Sequence, residues 1–103
     1  MELGRNEWSQ ARAQMIGKRA LIGLTRVTPH GKVLRQMFGT IAAIDGTGVD
    51  IELEGKDAGR KVRLPPDLGR FRIAGPGDYL LWETGEILAD PDFVGAFTVN
   101  EAA

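Results

Sequence analysis

Near the middle of the chain Val49, Ile51 and Leu53 alternate with Asp50, Glu52 and Glu54. A period of two puts the apolar side chains on one face of an extended strand and the acids on the other. After Gly55-Lys56-Asp57-Ala58-Gly59 the pattern is answered by Val62 and Leu64 alternating with Lys61 and Arg63. The two segments therefore predict an antiparallel hairpin with one apolar face and complementary charges on the other. Matching the faces permits Glu54 opposite Lys61 and Glu52 opposite Arg63, pairs worth a few tenths up to about 1 kcal/mol each. A helix has no use for this spacing, so the chain must bury one face of a sheet.

The flanking text extends the sheet. Arg19 to Thr28, a Pro29-His30-Gly31-Lys32 turn and Val33 to Asp45 predict a second antiparallel hairpin, with Gly46-Thr47-Gly48 as the next turn. Both long strands change apolar parity midway, near Gly23 and Gly39, which predicts bulges or sharp bends. Pro65-Pro66 ends the strand that begins at Lys61, and Asp67 to Phe71 reads as a helical turn. Beyond Gly75-Pro76-Gly77, Thr84-Gly85 predicts a two-residue hairpin loop with Glu83 facing Glu86, and Asp90-Pro91-Asp92 precedes a last strand, Phe93 to Val99. Asn6 to Ile16 is the helix-like stretch. Asn6 suits a cap, Glu7 the first turn and Gly17-Lys18 the end, while Trp8, Ala11 and Met15 form an apolar stripe that needs a sheet to pack on.

At 103 residues the chain makes one domain, burying about 65% of its unfolded surface, enough for a modest core. We expect a mainly β, small bent antiparallel barrel over about 18–82, a short N-terminal helix over about 6–16 and a C-terminal β-hairpin extension over about 83–100. The absence of cysteine excludes disulfides and thiol chemistry. No apolar run approaches the ~20 residues of a membrane span, and MELGRNEW is too polar for a signal peptide, so the expectation is a cytoplasmic protein without membrane contact.

Catalytic currency is scarce. One serine, Ser9, and one histidine, His30 in a turn, give no triad signature, and Gly55 to Arg60 lacks the spacing and hydroxyl of a phosphate loop. Glu83, Glu86, Asp90 and Asp92 are the weak candidates for a hard-cation or acid site, against their plainer use as turn residues. No cofactor is expected. Arg26, Lys32, Arg35 and Arg72 are the candidate nucleic-acid contacts, three of them around the first hairpin. The aromatic residues Trp8, Phe38, Phe71, Tyr79, Trp82, Phe93 and Phe97 read mostly as core, which leaves few rings for stacking bases.

Gly39-Thr40-Ile41-Ala42-Ala43-Ile44-Asp45 followed by Val49-Asp50-Ile51-Glu52-Leu53 resembles the first motif of Sm-like proteins, and more broadly the SH3-like small barrels, over residues 6–82. The resemblance implies a bent barrel. In the Sm family an Asn after the motif's Asp and a later Arg-Gly pair form an RNA pocket. Here Asp50 and Ala74-Gly75 stand at those places, so the resemblance implies the barrel rather than the pocket. Leu64-Pro65-Pro66-Asp67-Leu68 and the later turns also resemble a small bacterial family, which implies no activity.

The expected function is a non-catalytic interaction module that binds a protein partner or forms a homo-oligomer through strand edges. Binding of RNA or single-stranded DNA is the alternative, and a small enzyme or metal site the second. The net charge of −1 hides a division: residues 1–72 hold all 13 Lys and Arg against 8 acids, and residues 73–103 hold 6 acids and no base. The acidic end is expected to fold back on the basic part.

Overall fold

The computed structural model describes residues 5–100, with side chains from Ser9 onward. Helix α1 spans Arg5–Met15 and is followed by β1 (Arg19–Thr28), β2 (Gly31–Asp45), β3 (Gly48–Leu53), β4 (Lys61–Leu64), β5 (Phe71–Ile73), β6 (Asp78–Leu80), β7 (Ile87–Ala89) and β8 (Phe93–Asn100). The side chains of Asn6, Glu7 and Trp8, expected to cap and staple the helix, lie outside the described residues. The helix ends at Gly17, whose φ of +86° supplies the left-handed turn after the last helical residue. Gly17 N–H then donates to Ile41 O, and Met15 packs with Ala11 against the main core.

The mainly β reading holds, but the strands form an open sheet of order β4-β3-β2-β1-β8-β5 rather than a closed barrel, with β6 and β7 in a separate two-stranded sheet. Closure would require β4 to pair with β5. β5 has three residues, and β4 runs into Pro65-Pro66, which carry no N–H donors. The edges are too short to zip. The C-terminal hairpin extension is likewise corrected: β7 pairs with β6, while β8 lies parallel to β1 from Ala20↔Phe93 to Val27↔Asn100. The five apolar side chains of Phe93, Val94, Ala96, Phe97 and Val99 gain more from the interior of the sheet than from an exposed hairpin.

The main core fills one face of the sheet with Ile22, Leu24, Met37, Ile41, Val49, Ile51, Leu64 and Phe97. On the opposite face Leu21 and Phe38 are covered by Leu81 and Leu88 of the β6–β7 hairpin. This second layer explains why Leu21 is apolar between Ala20 and Ile22. Ala20, Leu21 and Ile22 are all buried because both faces are covered, and β1 pairs with β2 without a register shift. The bulge expected near Gly39 is displaced to Ala42, where β2 slips between Ile41 and Ala43 against β3. Gly39 serves close approach instead: a Cβ there would stand 2.1 Å from Glu52 O.

The β3–β4 register differs by two from the expected one. Asp50 faces Arg63 and Glu52 faces Lys61, with Nη1–Oδ1 and Nζ–Oε1 distances of 2.7 and 4.0 Å. A 3-10 turn at Gly55–Asp57 lengthens the loop, and Glu54 turns away to Arg19 and Thr40.

Candidate functional site

β2 is a long strand with a short neighbour. Its pairing with β3 begins at Gly39↔Leu53, with one further bond from Glu54 N–H to Phe38 O, so Gly31–Met37 is held in the sheet by β1 alone. The β1–β2 arm thereby splays from the β3–β4 hairpin, and a cleft of about 380 Å³ opens between them. Leu24, Met37, Leu53, Val62, Leu64 and Val99 make its floor, and Arg26, Arg35, Arg60, Lys61 and Arg63 surround it with Asp57 as the single acid. The register explains why two of the expected cations meet here. Arg26 pairs with Val99 and Arg35 with Leu24, on the face that carries the main core.

Several of these cations already hold acids outside the cleft. Arg35 Nε donates to Glu83 Oε1, and the other carboxylate oxygen accepts the Gln36 N–H at 2.6 Å. Glu83 thus satisfies the β2 edge where β3 has run out. Glu83→Ala should cost about 1 kcal/mol in urea denaturation, and Glu83→Gln less because its amide oxygen still accepts from Gln36; equal, negligible losses would mean that water replaces the contact. Lys61 faces Glu52, and Arg63 Nη2 and Nη1 reach Asp45 and Asp50. Hydrogen bonds to both carboxylates raise the Arg63 pKa above its ordinary value. Such exposed pairs exchange partners at little cost. The Arg60 side chain has no hydrogen bond or ion pair among the described residues.

Asp45 organises the turn beside the cleft. Its Oδ1 accepts from Thr47 Oγ1 and N, Gly48 N and Arg63 Nη2, holding its carboxyl far below the usual carboxylate range, with the Thr47 hydroxyl the largest cause. A folded-state pKa below the unfolded one adds stability that is complete above about pH 4 and is lost as pH falls toward the lowered value. Asp45→Asn should therefore flatten the dependence of the urea midpoint on pH below about pH 4; an unchanged slope would contradict this role.

The remaining sequence candidates are not brought together. Arg72 pairs with Val94, and Val94 with Leu21 of the second cluster, so Arg72 lies on the opposite face of the sheet. Lys32 is exposed near the β1–β2 tip and does not line the cleft. His30 occupies that tip, while Asp92 accepts from Arg19 N at the other end of β1, roughly 30 Å along the strand. The four acids also part company. Glu83 binds β2, Glu86 accepts from Lys56 N, Asp90 from Gly77 N and Asp92 from Arg19 N. Glu83 and Glu86 do not face each other, because Leu80↔Ile87 closes a six-residue loop in place of the expected two. Among the described residues no group of His, Cys, Asp or Glu is placed to hold a metal ion.

Sequence reading missed Arg60 and the splay. Arg60 sits in what reads as a hairpin loop, and only the length mismatch between β2 and β3 signals the opening. Among the rings that read mostly as core, Trp82 is an exception. Trp82 is 61% exposed and borders, with Leu34, Arg35 and Arg70, a shallower depression of about 260 Å³ on the face of β1 and β8. No helix among the described residues is long and apolar enough to cross a membrane. Comparison with protein-family models, curated proteins and solved structures finds no match to the chain.

Proposed function

We propose that the protein is a non-catalytic interaction module whose cleft binds an acidic segment of another protein. The observation that carries this reading is the lining itself: five cations against one acid around an apolar floor. That combination suits a ligand with both carboxylates and apolar side chains, because Arg60 can take a carboxylate directly and Arg35, Lys61 and Arg63 can exchange exposed partners for ones held over the floor. Nucleic acid shares the charge but asks for rings on which bases stack. None of the lining residues is aromatic. Catalysis asks for convergent acid, base or nucleophile, and His30 and the four acids lie at separate places in the fold. The SH3-like or Sm-like kinship belongs to the same proposal, supported by a helix leading into a bent β1–β4 meander.

Fluorescence anisotropy with a labelled acidic, Val-containing peptide, its Lys-containing counterpart and a single-stranded oligonucleotide tests the reading. The acidic peptide should bind saturably and weaken with added salt, and the Lys peptide should not bind. Binding of the oligonucleotide alone would replace this reading with nucleic-acid recognition, and binding of neither anion would remove it.

A further inference from the structure

We infer that the partner segment enters as a β-strand added to the free edge of β4, and that its residues alternate acidic and apolar. This inference rests on the cleft being a peptide site and specifies how the peptide is held. Arg60, Lys61, Val62, Arg63 and Leu64 all line the cleft. Successive residues of a strand point to opposite faces, so a cleft that touches all four residues of β4 runs along the strand's edge rather than over one face. The sheet order ends at β4, and that edge has no partner among the described residues.

The hydrogen-bond phase identifies which groups are on offer. Leu53 N–H donates to Arg60 O at 2.8 Å, and the register pairs Ile51 with Val62 and Val49 with Leu64. Bonded and non-bonded pairs alternate along an antiparallel ladder, so Val62 and Leu64 turn their main-chain groups toward β3. Lys61 and Arg63 turn their N–H and C=O groups outward, into the cleft. An added strand can bond to both. Residues opposite Val62 and Leu64 would point with them toward Leu24 and Val99 on the floor, and residues opposite Lys61 and Arg63 would meet two cations.

The same chemistry selects the partner. A second copy pairing β4 to β4 brings Lys61 and Arg63 against themselves, and pairing β4 to β5 brings them against Arg72. Directly opposed like charges are unfavourable, so the edge repels its own kind and admits an acidic strand. Pro65-Pro66, which lack N–H groups, stop the added strand after a few residues.

The test uses the full chain and a capped peptide of about eight residues alternating Glu and Val, with an isomer of the same composition in two blocks. The alternating peptide should bind about tenfold more tightly than the block isomer, since only it matches both faces. N-methylation of one alternate set of its amides should abolish binding while methylation of the other set leaves it, and amide hydrogen exchange at Lys61 and Arg63 should slow in the complex. Equal binding of both isomers, indifferent to either methylation, would overturn strand addition while leaving the cleft as a peptide site. Failure of both isomers to bind would overturn the cleft reading and this inference together.

Discussion

Gly39→Ala is expected to lower the unfolding free energy by about 3 kcal/mol, the upper part of the range for overpacking, because the new methyl has nowhere to go. Its carbon would stand 2.1 Å from Glu52 O and 2.9 Å from Leu53 Cα. Both are main-chain atoms of β3, fixed in the ladder where Gly39 pairs with Leu53, so no side chain can swing aside. Gly23→Ala is the matched control. It also lies inside a long strand, but its nearest neighbour is Gly95 O at 4.0 Å, and its cost should stay within about 1 kcal/mol. In a chain of this size the first change should lower the melting temperature by about 12 °C or more. Equal effects at the two glycines would mean that β2 and β3 do not approach as closely as the structure has them, and the splay that opens the cleft would lose its anchor.

Arg60→Glu carries the largest expected functional effect. It replaces a cation with an acid at the mouth of a cleft that otherwise holds only Asp57, and should weaken binding of an acidic peptide by about tenfold or more. Stability should change by no more than about 0.5 kcal/mol, since the Arg60 side chain has no hydrogen bond or ion pair among the described residues. Arg63→Glu is a poorer probe. Arg63 ties Asp45 and Asp50 together, so its loss disturbs the turn as well as the site. Unchanged peptide affinity in the folded Arg60→Glu variant would argue against the cleft.

Much of this fold is legible residue by residue. The alternation from Val49 to Glu54 and from Lys61 to Leu64 places β3 and β4 and assigns their faces, because period two is a property of each strand alone. The register is not, since it depends on how many residues the turn at Gly55–Asp57 consumes, and a 3-10 turn consumes more than the simplest hairpin. β1 misled for another reason. The change from Ile22 and Leu24 to Val27 reads as a bend near Gly23, whereas β1 pairs with β2 without a shift, and Leu21 is apolar because Leu81 and Leu88, some sixty residues later, cover the second face. The parallel placement of β8 is similarly non-local. As for the site, Arg26 and Arg35 were visible as a basic hairpin, but their meeting with Arg60, Lys61 and Arg63 depends on where β3 ends against β2. The charge division is realised in part through individual contacts: Glu83, Glu86 and Asp92 bind the basic half at Arg35, Lys56 and Arg19.

The most direct measurement is an amide NMR titration of the full chain with the alternating Glu-Val peptide. Saturable shifts centred on Arg26, Arg35, Arg60 to Leu64 and Val99, and otherwise confined to Leu24, Met37, Leu53 and Asp57, are the predicted result, because these residues line the cleft. Shifts centred on Trp82, Arg70 and Thr98, or no saturable shift at all, would contradict the assignment of the cleft as the binding site.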